Sequence, residues 1–551
     1  MLLEVDNLTV RYGEALPAVD RVSFQLQAGE ALGLIGESGC GKSTIGRSLI
    51  NLLPRYASSA GTVYIDGEAI AEKKDGSWRG EKVGLIFQDP MTRLNPLMSI
   101  EAHGLELLNS HFPKLSTNSA KQRLKEALQA VRIDPSRAKQ YPHEFSGGMR
   151  QRVAIALTLL LNPVLLIADE PTTSLDVTVA TEILQELTEL RRSRGMGLLL
   201  VTHDLGMVAA YCDRIAVMYN GAIVETGTVT DIFTNPQHPY TQSLLRSVLH
   251  FHPEALQAVA SVPALPAEAS GEKADLGKSA DPQVIVNVSH LKKHYVTGGN
   301  FLERLTNPEA GIVKAVDGID LEIYAQECFG IIGESGSGKS TTGRAILQLV
   351  KPDCGSVHFN GVDLTSLNPQ QMRKMRSQMQ MIFQDPKACF SPKMTIFRSV
   401  ADPLLIHKLV PNLEAAREPV ARILEKVGLD FQIADRYPSD LSGGQLQRVA
   451  IARALITNPK LVICDEPVSM LDASIQSQVL QLMRDLQQEF KLTYVFITHD
   501  LAVAQFFCDR IAVMRKGKIV EHGTTQAVLT NPQHTYTKSL IASIPRIPQV
   551  H

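Results

Sequence analysis

The sequence predicts two tandem α/β domains, each with a helical subdomain inserted into its core. Three observations predict it. Landmarks of the first half return in the second: Gln88 as Gln384, Ser146 as Ser442, Asp169 as Asp465 and His203 as His499, each 296 residues on, while glycine-rich loops at Gly36 and Gly333 stand 297 apart. Short continuous apolar runs alternate with helical patterns, the mark of a mostly parallel sheet buried on both faces. Between the landmarks at 88 and 146 the pattern turns helical, with Leu124, Ala127, Leu128 and Val131 on one face, and Val420, Ile423, Leu424 and Val427 repeat that spacing. Solenoid periods run to roughly 20–50 residues, so this repeat is a duplicated domain.

Taken in order, the first half offers the strands ALGLIG, VGLIFQ, VLLIAD and GLLLVT; the second offers CFGIIG, MQMIFQ, LVICDE and TYVFIT. The repeat sets the domains at 1–251 and 284–551. Between them, residues 252–283 are rich in Ala, Pro and small polar residues without an amphipathic period, which reads as a linker. Its 32 residues span at most about 100 Å extended and about 30 Å as a flexible coil. A tether of that kind makes the pairing of the two halves intramolecular, at an effective concentration on the order of millimolar.

Bulk properties narrow the classes. A chain of 551 residues is too long for one core. A net charge of −2 makes no electrostatic case for a nucleic-acid partner. The seven cysteines are scattered and never form CxxC, as expected of reduced thiols with no zinc ribbon. The start, MLLEVDNLTV, carries acidic residues where a signal peptide has basic ones, and the longest apolar run, VAIALTLLL, is about half the roughly 20 residues of a membrane helix.

The chemistry begins at the two loops. Gly36, Glu37, Ser38, Gly39, Cys40, Gly41, Lys42, Ser43 and Thr44 form one, and Gly333, Glu334, Ser335, Gly336, Ser337, Gly338, Lys339, Ser340 and Thr341 the other. Each matches the phosphate-loop pattern and follows an apolar strand. Glycines let successive N–H groups curl around phosphate oxygens, and the helix that follows adds a positive field. Lys42 and Lys339 are placed to reach the β- and γ-phosphates, and the Ser43 and Ser340 hydroxyls to bind Mg²⁺. Asp169 and Asp465 end apolar strands and suit the Mg²⁺ shell; Glu170 and Glu466, next in the chain, suit polarising an attacking water. Gln88 and Gln384 close strands in the shared string IFQDP, placed to touch Mg²⁺ or water, and His203 and His499 close strands in THDL, placed for a γ-phosphate contact. Cys40, beside Lys42 at a helix N-terminus, reads either as a reactive thiol whose alkylation slows hydrolysis or as an inert loop residue.

A third signature follows: FSGGMRQR, with Ser146, Gly147 and Gly148, and LSGGQLQR, with Ser442, Gly443, Gly444 and Gln445, each opening a helical run. With it the sequence resembles the ABC transporter ATPases over nearly all of both halves. The resemblance implies two tandem ABC-type P-loop ATPase domains that use ATP and Mg²⁺. It also implies composite sites, in which the signature serine and glycines of one half cap the γ-phosphate held by the other. One site then joins Lys42, Asp169, Glu170 and His203 with Ser442 and Gly444; the other joins Lys339, Asp465, Glu466 and His499 with Ser146 and Gly148. Tyr12 and Tyr295 fall where the family stacks an aromatic ring on adenine, at differing distances of 24 and 38 residues before the loops. The sequence departs from the family at Met149, which replaces the usual signature Gln at a cost of about 0.5–1.5 kcal/mol, one hydrogen bond. It departs again at TTSLD and VSMLD, where the family often has TSALD; Asp176 and Asp472 remain.

The stretches NPQHPYTQSLLRSV from Asn235 and NPQHTYTKSLIASI from Asn531 resemble the tail of the oligopeptide/dipeptide/nickel importer branch. The segment from Gly298, GGNFLERLTNPEAGIVKAVDGI, is similar to an insertion in one of that branch's two ATPase subunits, so the chain reads as both subunits fused. The resemblance implies an ATPase that energises import of peptides or of peptide-like or metal-chelate solutes. It would sit peripherally on the cytoplasmic face of a bacterial inner membrane. Its partners would be two integral membrane permease subunits and, indirectly, a periplasmic or lipid-anchored solute-binding protein. No iron–sulfur cluster is expected, since no cysteine lies between Cys212 and Cys328 or after Cys508. The competing class is a soluble tandem ABC ATPase without a transporter, a translation factor or DNA-damage sensor. The former needs a long basic helical arm between the halves and the latter zinc-binding CxxC pairs, and the sequence has neither.

Overall fold

The computed structural model describes residues 1–70, 76, 78–88, 94–172, 177–249, 283–296 and 311–543. Asp176, the linker apart from Gln283, and residues 298–310 lie outside them. The chain divides into two compact units, one for each half.

In the first unit a six-stranded sheet runs in the order Ala222–Thr228, Arg214–Tyr219, Ala31–Ile35, Gly197–Val201, Leu165–Asp169, Val83–Ile86. The last five strands are parallel, and the edge strand Ala222–Thr228 is antiparallel. The three central strands Ala31–Ile35, Gly197–Val201 and Leu165–Asp169 are buried at every residue, which is why each reads as an unbroken apolar run. Register places Asp169 opposite Val201 and Leu34 opposite Val201 in turn. The loop after Ile35 and the carboxylate of Asp169 thus meet at one end of the sheet, the carboxyl end, where α/β folds bind ligands.

A second, four-stranded antiparallel sheet has the order Val19–Leu26, Leu3–Tyr12, Ala57–Ile65, Glu68–Ala69. Its apolar face closes one core with Leu32, Leu34, Ile45 and Leu49. A second core lies under the helices, including the inserted ones. Helices Ile100–His111 and Thr117–Ala130 make up the insertion, each opened by a serine, Ser99 or Ser116, whose hydroxyl accepts from the third residue on. Leu124, Ala127, Leu128 and Val131 are all buried, as the spacing predicts.

The second unit repeats the plan. Its sheet runs Met379–Ile382, Leu461–Asp465, Thr493–Thr498, Cys328–Ile332, Arg510–Arg515, Lys518–Thr524, beside an antiparallel sheet of Ile312–Tyr324, Val284–Val296, Cys354–Phe359 and Val362–Asp363. Val420, Ile423, Leu424 and Val427 are buried in turn. Among the described residues no helix is long and apolar enough to cross a membrane.

Candidate nucleotide-binding site

Each loop leaves the central strand and enters a helix, Lys42–Leu49 or Lys339–Ile346. Gly41 and Gly338 sit at the helix caps with φ of 107° and 106°, a conformation L side chains rarely adopt. The turn curls the lysine back. Lys42 Nζ donates to the carbonyls of Gly36 at 2.6 Å and Glu37 at 2.9 Å, and Lys339 Nζ to those of Gly333 at 2.7 Å and Glu334 at 2.9 Å. Both lysines are 5% exposed, so each fixes a cation on a helix N-terminus in a low-dielectric setting.

The acidic pair closes the other side. Ser43 Oγ donates to Asp169 Oδ1 at 2.8 Å, and Ser340 Oγ to Asp465 Oδ1 at 2.6 Å. Burial pushes the pKa of both aspartates up, against the opposing effect of those serines. A hydroxyl and a carboxylate held side by side form the hard oxygen donor set that Mg²⁺ takes. With the glycine-rich loop and the lysine, the residues present fit a magnesium-bound nucleotide.

Glu170 and Glu466 follow in left-handed backbone, φ 48° and 49°, while their N–H groups continue the sheet ladder to Val201 O and Ile497 O. That kink aims the carboxylate across the sheet end. Gln88 Nε2 donates to Glu170 Oε2 at 2.7 Å, and His203 Nδ1 lies 3.3 Å from Oε1. Gln384 and His499 meet Glu466 in the same way, at 2.9 and 3.0 Å. Burial would lower the His499 pKa, but the Glu466 carboxylate outweighs it and holds the pKa above its usual value. For Glu466 burial works upward and is outweighed by the His499 bond and charge, so its pKa lies low. Gln88 and His203 stand two residues past their strands, which end at Ile86 and Val201 rather than at the Gln and His. After Val201 the backbone turns to let Asp204 cap the helix Leu205–Tyr211.

The signature serines open helices Gly147–Leu159 and Gly443–Leu455 as N-caps, their hydroxyl oxygens accepting from Met149 N and Gln445 N. Only in the second half does the side chain reply, Gln445 Oε1 accepting from Ser442 N at 3.1 Å. Met149 instead turns its sulfur to Arg137, 3.2 Å away. Met149→Gln is therefore expected to recover one bond, about 0.5–1.5 kcal/mol. Hydrogen exchange over Phe145–Met149 would slow accordingly; unchanged exchange would reject the account.

Tyr12 is brought to its loop, its hydroxyl 3.1 Å from Thr44 Oγ1. Tyr295 is 39% exposed beneath the Lys293 ammonium, 5.7 Å from its ring. Cys40 is 8% exposed, packed under the loop with its sulfur 3.8 Å from Lys42 Nζ, a burial that works against alkylation. Two residues that sequence reasoning missed reach the loops from the tail. Tyr240 OH accepts from Glu37 N at 3.1 Å and Tyr536 OH from Glu334 N at 3.2 Å.

A family model described as ABC transporter matches residues 19–173 and 316–469. One described as Oligopeptide/dipeptide transporter, C-terminal region, matches 224–274 and 520–551. The chain is similar to the Glutathione import ATP-binding protein GsiA of Escherichia coli (strain K12), at 41% identity over 565 residues, covering 99% of this chain and 89% of that one. It is also similar to the Peptidoglycan transport ATP-binding protein YejF of Agrobacterium fabrum (strain C58 / ATCC 33970), at 42% identity over 551 residues, covering 98% and 96%.

Proposed function

Since the chain belongs to the ABC transporter family, with the oligopeptide/dipeptide transporter C-terminal region in both halves, we propose that it hydrolyses ATP to drive import of peptides or peptide-like solutes. The duplicated constellation of lysine, serine, aspartate and glutamate at the sheet end carries this reading, and the transporter tail after each copy disfavours a soluble ATPase without permeases.

Within each half the loop amides and Lys42 or Lys339 hold the phosphates. Ser43 with Asp169 and Gln88, and Ser340 with Asp465 and Gln384, would hold Mg²⁺. When bound, the ion offsets phosphate charge that would otherwise resist attack. Glu170 and Glu466 orient a water and draw off its proton, and His203 and His499 fix those carboxylates while presenting their other ring nitrogen to the γ-phosphate. The domains, 1–251 and 284–551, are joined by the linker 252–283 and pair within one chain. In each composite site Ser146 and Gly148, or Ser442 and Gly444, cap the phosphate held by the other half. Closure on ATP then moves the helical subdomains, which pass the motion to two permease subunits. A solute-binding protein outside the membrane delivers the cargo, a peptide or peptide-like solute, as the relatives named for glutathione import and peptidoglycan transport suggest.

Membrane fractionation tests the reading. The chain is expected in the soluble fraction when expressed alone, and with the inner membrane when its cognate permeases are co-expressed. If it stays soluble beside them, the importer reading fails.

A further inference from the structure

We infer that Tyr240 and Tyr536 are positioning residues for the two phosphate loops, and that the tail segment carrying them sets the lysine that binds phosphate. The inference rests on reading those loops as ATP sites.

The Gly36 carbonyl and the Glu37 N–H belong to one planar peptide unit. Its oxygen accepts from Lys42 Nζ at 2.6 Å, and its N–H donates to Tyr240 OH at 3.1 Å. One peptide is thus gripped at both ends, by the lysine that meets phosphate and by a tyrosine 203 residues along the chain. The second half repeats the grip: Lys339 Nζ on Gly333 O at 2.7 Å, Tyr536 OH on Glu334 N at 3.2 Å. Beneath it the backbone has no slack. A Cβ on Gly36 or Gly333 would lie 2.2 Å from the carbonyl oxygen of Met218 or Met514.

The tyrosine is itself built in. Glu225 accepts from the N–H groups of Gln237 and His238 at 2.7 and 3.0 Å, and His238 Nδ1 accepts from Tyr240 N at 3.2 Å. Glu521, Gln533, His534 and Tyr536 repeat the arrangement at 2.7, 3.0 and 3.1 Å. The Tyr240 ring stacks on Tyr219, centroids 4.2 Å apart. Tyr536 lies under the Arg515 guanidinium, 4.6 Å from its ring. The hydroxyl keeps its place in both halves although one ring stacks on a tyrosine and the other lies under a guanidinium. Without it the peptide keeps one grip of two, and the position from which Lys42 or Lys339 meets phosphate is held less firmly.

The test compares the full chain with its Tyr240→Phe/Tyr536→Phe double variant, which keeps both rings. MgATP KM and kcat are measured from hydrolysis, MgADP affinity by calorimetry, and unfolding by thermal melt. The expected result is a KM raised about three- to tenfold, the effect of one hydrogen bond, with MgADP binding weakened in parallel, kcat within about twofold and the melt unchanged. Tyr240→Ala/Tyr536→Ala, which also removes the rings, is expected to lower the melt as well. A Phe variant with wild-type KM and MgADP affinity overturns the inference, whether or not its melt shifts. An unaltered chain that binds no MgATP would instead take down the reading of the loops, and this inference with it.

Discussion

Replacing Glu170 and Glu466 together by Gln is expected to leave MgATP binding intact and to abolish turnover. The two jobs fall to different side chains. On the proposed reading Lys42 and the Ser43–Asp169 pair serve phosphate and metal, while the glutamate faces Gln88 at 2.7 Å and His203 at 3.3 Å. Gln is isosteric and keeps an oxygen for Gln88, but it cannot take a proton from water. General-base loss costs about 10²–10⁴-fold. ATP would then remain in place and hold the halves closed. X-ray scattering with MgATP should give a smaller radius at unchanged mass, since both halves lie on one chain. A doubled mass would mean that halves pair between chains, and the intramolecular arrangement would be wrong. Hydrolysis that survives the double change would remove the glutamates from the mechanism.

Alanine at Gly41 and Gly338 should be nearly as damaging, and alanine at Gly39 and Gly336 far less. All four glycines have positive φ, so each substitution carries backbone strain of roughly 1–2 kcal/mol. They differ in space. A Cβ at Gly338 would stand 1.9 Å from the Ala315 carbonyl oxygen, and at Gly41 2.3 Å from that of Ala18, whereas Gly39 and Gly336 have nothing within 4 Å. A backbone oxygen cannot step aside as a side chain can, so the loop must move and carry the lysine with it. Binding of a fluorescent ATP analogue should weaken at least about tenfold more for Gly41→Ala/Gly338→Ala than for Gly39→Ala/Gly336→Ala, a difference of only about 1.4 kcal/mol. Similar losses for Gly39→Ala/Gly336→Ala would show that strain and not the clash decides.

Much of this was legible in the residues, and the physics explains which parts. Ala31–Ile35, Leu165–Asp169 and Gly197–Val201 are buried on both faces, so their sequences are unbroken apolar runs that stand out from any background. The antiparallel sheet does not stand out in the sequence. Its strand Leu3–Tyr12 is half exposed, and the register shift between Asp6 and Thr9 breaks the alternation that would have marked it. The loops, acidic pairs and signature serines were legible because their chemistry needs particular residue types at short spacing. Tyr240 and Tyr536 were not, because they meet Glu37 and Glu334 from 203 and 202 residues away. Their strings resemble a family tail, and nothing local in NPQHPYT or NPQHTYT points toward a phosphate loop.

The capping serines have one more consequence, which concerns the sign of the guest each can welcome. Ser146 and Ser442 already accept a hydrogen from the helix, at 3.4 and 3.3 Å. A hydroxyl that accepts in this way keeps its own hydrogen and one lone pair, and with the N–H groups of the first helical turn beside it the exposed end of the helix has more protons than electron pairs to offer. Such an end would act as a filter, favouring oxygens that carry negative charge over ammonium groups and metal cations. The halves are not equal filters. Ser442 has lent its N–H to Gln445, while Ser146, with methionine in the matching place, makes no such loan and has one more hydrogen to offer an anion.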